Sequence, residues 1–296
     1  MILCSVLLFA ASPVRPSLQH ALDATSATSA DSAAASLREL LGTSGNLRAL
    51  FGTADSLSRN SALRSLRPEF AIGTPGVYSL GLSEPGGDPL VVVTLESLGA
   101  MRGKRLDDYR VGAWPAQERA LRGARYAPPA GFIAVTPENE STLVSKRFFL
   151  SDFLTHDQQG VWPKVLVLRT PLLDKLELIG DELEQRGLSG SLHIMSGFRT
   201  PQYNAQGVGK GGRAGASRHM YGDAADVFVD ADGDGVMDDL DGDGKITIRD
   251  ARVLFAVAEA IEARHPELIG GLSAYPANGA HGPFVHVDVR GVRARW

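Results

Sequence analysis

The chain has 296 residues, enough for one large domain or two smaller ones. Its net charge of −4, with no basic block, argues against a nucleic-acid partner. Its single cysteine, Cys4, excludes both an intramolecular disulfide and a cysteine zinc cluster.

Residues Ile2 to Ala11 form an apolar run too short to span a bilayer as a stable helix. The length suits the core of a secretory signal, although no lysine or arginine precedes it. Cys4 lies inside the run rather than after it, which does not support a lipoprotein anchor. Residues 1–30 are therefore read as an export segment, giving a periplasmic or secreted chain without a stable membrane span. Ser17 to Ser65 is rich in Ala, Ser and Thr, and Ala24 to Ala35 has almost no large apolar residue, as in disordered segments. Leu37 to Leu50 predicts a short helix inside a linker, 31–67. From Pro68 the pattern changes. Val77 to Leu82 and Leu90 to Leu95 read as strands around the turn Glu84 to Pro89, with Phe132 to Val135 as a third. Residues 68–137 are thus expected to form a small β-rich module, either positioning the rest of the chain against a partner or serving as a structural appendage.

Ser145 to Leu154 opens a second region, 138–296. Thr170-Pro171 reads as a helix start, with threonine as cap and proline at the first helical position. Leu172, Leu176, Ile179 and Leu183 mark one buried face, and Gly187 ends the helix. Leu192 to Met195 reads as a strand delivering Ser196 to Thr200. Val208 to Ala216 is a glycine-rich loop. It lacks the Lys-Ser/Thr ending and the strand–loop–helix spacing of a phosphate-binding loop, so nucleotide binding is rejected.

Two stretches then carry metal-ligand chemistry. Ser217-Arg-His219-Met-Tyr-Gly222-Asp-Ala224-Ala-Asp226 holds a histidine and an aspartate seven residues apart. Phe284-Val-His286-Val-Asp288 holds another such pair two apart, so both side chains leave one face of a strand. Imidazole nitrogen and carboxylate oxygen are ordinary zinc ligands, and three of them with a free fourth position is the arrangement of a catalytic zinc. Gly222, Ala224 and Ala225 leave room for close approach. By spacing alone, most such pairs are surface groups or hydrogen-bonded core residues.

Between these stretches, Asp239-x-Asp241-x-Asp243-Gly244-Lys245-x-Thr247-x-x-Asp250 matches a calcium EF-hand loop, with the glycine at position six and aspartate in place of glutamate at twelve. Lys245 would offer its backbone carbonyl. Upstream, Asp230-x-Asp232-x-Asp234-Gly235 repeats the opening of that pattern in an overlapping frame. Either one ion sits in the second loop or two ions share ligands. Val253, Leu254, Val257, Ala258 and Ile261 then share one helix face, and Gly270 to Pro276 brings the chain to the last strand.

The motif Ser-x-His-x-x-Gly-x-Ala-x-Asp, the late His-x-Asp and the upstream Ser196-Gly-Phe-Arg199-Thr-Pro occur in this order across roughly residues 137–296. Together they resemble the zinc D-alanyl-D-alanine carboxypeptidase and murein endopeptidase family, whose fold is shared with the Hedgehog signalling domain. The ending in Phe-Val-His-Val-Asp and Trp296 is similar to the bacterial murein endopeptidase group. The resemblance implies an α+β fold with a central antiparallel sheet, a zinc ion on His219, Asp226 and His286, and hydrolysis of peptide bonds in peptidoglycan by metal-activated water. It implies that Arg199 holds a substrate oxygen, the alternative being a structural arginine that pairs an acid in the turn, and that Ser217 orients substrate or the ligand loop. The Asp-rich insertion 230–250 departs from the family pattern. So does the absence of a Glu or His in the three positions before His286, filled here by Pro283, Phe284 and Val285. Asp288 is then the first choice for general base, His281 the second, with Asp288 orienting His286 as the other role open to it. Two non-catalytic readings remain: a zinc- and calcium-stabilised wall-binding protein, and a calcium-dependent adhesion or structural protein.

Overall fold

The computed structural model describes residues 34–83, 88–188, 191–209 and 212–296. The export segment, most of the turn expected at 84–89 and part of the glycine-rich loop lie outside them.

The fold is α+β. Residues 34–41 are helical, but the helix expected to continue to Leu50 gives way to β1 (Ala49–Gly52). The β-branched run Val91 to Thr94 on β3 (Pro89–Thr94) explains the switch: β1 pairs with it in parallel, and β2 (Gly76–Ser83) pairs with its other edge antiparallel. Both faces of β3 are covered. Leu90 and Val92 join Leu57, Leu63 and Leu80 of the short helices α1 (Ala54–Ser58) and α2 (Ser61–Leu66) and of β2. Val91 and Val93 point the opposite way, into the main core. The short hairpin β4 (Arg105–Leu106) and β5 (Tyr109–Arg110) follows, then α3 (Ala116–Arg122). The third expected strand, β6 (Ile133–Val135), does not join the first sheet; it pairs with β7 (Lys164–Leu166).

A five-stranded sheet positions the site. Its order is β12-β10-β11-β9-β8, from β8 (Ser191–Ser196), β9 (Ala224–Asp230), β10 (Gly271–Tyr275), β11 (Phe284–Asp288) and β12 (Ala294–Arg295). All neighbours run antiparallel except β10 and β12. One face is apolar: Ala225, Val227 and Val229 of β9 and Val285 and Val287 of β11 enter the main core. Two amphipathic helices supply the other half of that core. α4 (Thr170–Gln185) buries Leu172, Leu176, Ile179 and Leu183 as its spacing predicts, although its cap is Arg169 and Thr170 is already helical. The turn at Gly187 closes it, with Leu188 N–H bonding to the carbonyl of Leu183. α5 (Pro201–Gln206) is capped by Thr200, whose hydroxyl accepts from Tyr203 N–H. α6 (Ile248–Arg264) buries Leu254, Val257, Ala258 and Ile261. At 25 cal/mol per Å² of apolar surface, each such side chain contributes roughly 1.5–3 kcal/mol before entropy is counted.

Leu47, Ala49, Val91, Val93, Tyr109 and Phe132 belong to the same core as α4, α6 and the large sheet. Residues 68–137 thus contribute to two clusters, Leu80, Leu90 and Val92 to the smaller one and Val91, Val93, Tyr109 and Phe132 to the main core. Among the described residues, no helix is long and apolar enough to cross a membrane.

Candidate metal centre

Strand register brings two of the expected ligands together. β9 and β11 are aligned so that Asp226 faces His286 directly, while Ser196 of β8 and Ser273 of β10 extend the same row. A cross-strand pair shares a face of the sheet, here the one opposite the apolar face. The third ligand, His219, comes from the single 3-10 turn Arg218–Tyr221 just ahead of β9. Gly222 ends that turn at φ 68°. A Cβ there would lie 2.4 Å from the carbonyl oxygen of Val167, so both the left-handed backbone and the close approach require glycine.

His219 Nε2, His286 Nδ1 and Asp226 Oδ1 form a triangle with edges of 3.2, 3.2 and 3.0 Å, and all three residues are buried. Ligands about 2.0–2.1 Å from a tetrahedral ion are separated by about 3.3 Å, so the triangle has the size of three corners of a metal site. The opposite ring nitrogens fix which atoms point inward. His219 Nδ1 lies 2.7 Å from the carbonyl of Gly197, which can only accept, so Nδ1 carries hydrogen and Nε2 faces the centre as a lone pair in the neutral ring. His286 Nε2 lies 3.1 Å from Asp288 Oδ2, which fixes that ring in the same way. With both imidazoles neutral, the three residues aim three lone pairs at one point, an arrangement that could hold a metal ion.

The electrostatics agree. Burial alone would raise the Asp226 carboxyl, but His219, His286 and Arg199 hold it well below the usual carboxylate range. Burial pushes His219 down, the Asp226 charge only partly opposing it. His286 is also buried, yet Asp226 and Asp288 on either side raise it above the ordinary imidazole value. The field at the centre favours positive charge.

Asp288, the first choice for general base, lies where the ring-orienting role would put it. It is 0% exposed and sits behind His286, away from the lone-pair triangle. Its oxygens accept from the His286 ring, from Gly271 N–H at 2.7 Å and from the backbone and guanidinium of Arg290. A Cβ on Gly270 would collide with the Asp288 backbone carbonyl, so the chain passes as closely as glycine allows. Deeper still, buried Lys175 donates to the Asp288 carbonyl at 2.8 Å and pairs with Glu262. Asp288 orients the His286 ring. His281, the second choice, does not reach the triangle either. Its Nδ1 donates to the carbonyl of Gly282 and its Nε2 accepts from Asn278, while its ring meets Phe284 edge-on.

Arg199 does stand at the centre. It donates from Nε to Ser196 Oγ at 2.9 Å and from Nη2 to the second oxygen of Asp226, so the acid it pairs with is not one in its own turn but the expected ligand on β9. Ser217 is buried at the start of the ligand turn, where its carbonyl accepts from Met220; its hydroxyl caps nothing. Residues not singled out in the sequence hold that turn. Arg218 forms a buried two-point ion pair with Asp223, with Tyr126 and Tyr221 rings 4.7 Å from its guanidinium. Trp114 donates to the carbonyl of Met220 at 2.7 Å. Nothing in the spacing of 105–127 marks these partners, because they are contacts across about a hundred residues. On the other side, the Trp296 ring lies 5.3 Å from that of His286 and its N–H bonds to Tyr275.

The Asp-rich insertion forms two loops of the same shape. Asp230 accepts from the N–H groups of Gly233, Asp234 and Gly235, and Asp239 accepts from those of Gly242, Asp243 and Gly244. Asp230, Asp232 and Asp234 bring carboxylate oxygens together, as do Asp239, Asp241 and Asp250. Asp243 is engaged by Arg249, and Lys245 N–H bonds back to Asp243. Thr247 caps α6 and Asp250 closes the capping box. Asp250 is buried, with Oδ1 also accepting from Leu240 and Asp241 N–H.

Comparison of the chain with protein-family models, with curated proteins and with solved structures gives no match.

Proposed function

We propose that this chain is a zinc-dependent peptidase that hydrolyses peptide bonds in peptidoglycan, as a D,D-carboxypeptidase or a murein endopeptidase, on a Hedgehog-like peptidase fold. The observation that carries this reading is the triangle of His219 Nε2, His286 Nδ1 and Asp226 Oδ1, whose inward atoms are free of hydrogen in the neutral rings. Two nitrogens and one oxygen at this spacing suit zinc, and three protein ligands leave a position for water or substrate. A zinc ion there would polarise a carbonyl and lower the pKa of water toward neutrality. The chain's own residues hold the ligands in place: Gly197 and Asp288 fix the rings, and Arg199 restrains the outer oxygen of Asp226 beside the reacting region. Export to the cell envelope belongs to this reading, since the polymer lies outside the cytoplasm.

The paired Asp loops are proposed as calcium sites. All-oxygen donor sets with glycine at the sixth position suit a hard divalent cation rather than zinc.

The deciding experiment is digestion of purified peptidoglycan by zinc-loaded protein, with mass analysis of the products, comparing wild type with His286→Ala. Release of fragments by wild type alone supports the peptidase and identifies the bond. A second reading, a non-catalytic wall-binding protein stabilised by zinc and calcium, draws on one observation: neither Asp288 nor His281 is placed to take a proton at the centre. Retention on peptidoglycan without any cleavage would select it.

A further inference from the structure

Beside the metal centre lies a cleft of 320 Å³ whose lining includes Lys164, Glu140, Thr155, His156, Gln159 and Trp162. It is joined to the centre by one tight segment. Thr155 Oγ1 donates to the carbonyl of Phe198 and accepts from Thr200 N–H, while Phe198 N–H bonds to the carbonyl of Phe153. Gly197, which orients His219, and Arg199, which holds Asp226, belong to the segment so gripped.

Lys164 is the anomaly in this cleft. It is 3% exposed, on a strand, yet its ammonium has only the amide oxygen of Gln159 at 3.5 Å and the ring of Trp162 at 4.7 Å. No carboxylate among the described residues forms an ion pair with it. Removing an ammonium from water is costly unless a strong acceptor replaces the water, and a long amide contact is a poor substitute. Burial accordingly lowers the Lys164 pKa, with Glu140 and Asp157 pulling the other way from a distance. Glu140 lines the same cleft, and its side chain has no hydrogen-bond partner among the described residues. One unpaired cation and one unpaired anion thus share a small polar cleft without touching each other. A ligand bearing a single charge would satisfy one and be repelled by the other.

We propose that this cleft binds the zwitterionic head of an amino acid, its carboxylate on Lys164 and its ammonium on Glu140. Thr155, Gln159 and His156 border the same space, and burial together with Arg199, Arg213 and Lys164 keeps His156 neutral near pH 7. The volume is at the small end of ligand sites, enough for an amino-acid head and not for a long peptide. The site stands independently of the peptidase reading; only the natural ligand rests on that reading, which makes the head part of a substrate residue with both its amino and carboxyl groups free.

The test is titration calorimetry of the full chain with D-alanine and L-alanine, with acetate and methylammonium as single-charge controls. Saturable binding of at least one alanine is expected, with each control at least about tenfold weaker, since each charged contact contributes enough for such a factor. Lys164→Met and Glu140→Gln should each weaken alanine about tenfold or more while keeping the wild-type melting temperature. His286→Ala should bind alanine as wild type does even if hydrolysis is lost, which separates failure of this site from failure of the peptidase. The proposal is overturned if neither alanine binds, or if acetate binds as tightly as alanine and Glu140→Gln changes nothing.

Discussion

At the scale of single residues, Asp288 and Gly222 act on the centre without being able to touch an ion in it. Asp288 sets the proton on His286 Nε2 and is itself clamped by Arg290 and Gly271 N–H. Carboxylates in this position typically contribute a factor of about 10–100 in metal affinity, so Asp288→Asn should weaken zinc binding by that factor in a competition titration, with the fold retained. Gly222→Ala should cost more than about 1 kcal/mol in urea unfolding, because a Cβ meets the Val167 carbonyl and the backbone is left-handed. The two histidines titrate in opposite senses, and this gives a pH signature for the metal-free protein. His219 is depressed, so its contribution to stability grows as pH rises toward the unfolded-state value of 6.5. His286 is raised, so its contribution is complete below that value and is lost as pH climbs through the higher folded one. Melting temperature without zinc should therefore peak near pH 6.5, whereas with zinc it should keep rising, since protons no longer compete for the ligands. A monotonic rise without zinc would show that these two rings do not carry the charges assigned to them.

At the scale of elements, the His-x-Asp spacing of β11 was legible because a strand sends alternate side chains to one face, and the structure puts His286 and Asp288 there together. The role of Asp288 was not legible. Spacing says which face a carboxylate takes, not whether it stands in front of its neighbour or behind it. The register that sets Asp226 against His286 was hidden for the same reason, being fixed by pairing between strands about sixty residues apart. Local signals served best where the chemistry is local. The apolar stripe of α4 appears as read, the repeated Asp-x-Asp-Gly-Asp-Gly folds into two like loops in which Asp243 turns to Arg249, and Thr247 and Asp250 close a capping box that the calcium pattern alone would not reveal. Asp250→Ala would strip the acceptor from Leu240, Asp241 and Thr247 N–H together, at a cost of about 1–2 kcal/mol in urea unfolding even without calcium. If the loops hold calcium, adding it to calcium-stripped protein should raise the melting temperature, and Asp239→Asn should reduce the rise.

At the scale of the whole molecule, composition suggested a boundary near residue 137 because the strand-rich pattern stops there. The core does not respect that boundary, since Val91 and Val93 of β3 and Phe132 pack into the apolar mass that α4, α6 and the ligand-bearing sheet share. Alternation along β3 shows that both its faces are apolar, but not that they face two different clusters. The earlier part of the chain also holds the ligand turn, through Trp114 on the Met220 carbonyl and Tyr126 against Arg218 and Tyr221. A fragment of residues 138–296 would keep every expected zinc ligand while exposing the side of the core that Val91, Val93 and Phe132 now cover. Each buried aliphatic or aromatic side chain lost from such a core costs about 2–5 kcal/mol, and a domain has only about 5–15 kcal/mol in total. The fragment should therefore lose its cooperative thermal transition. In the full-length chain, Trp114→Ala should weaken zinc binding, because the Met220 carbonyl of the His219 turn loses its donor, with some loss of stability as well, since the ring also packs against the main core. A fragment that melts cooperatively and binds zinc as tightly as the whole chain would mean that the first part is an appendage, and that the contacts of Trp114 and Tyr126 do not hold His219 in place.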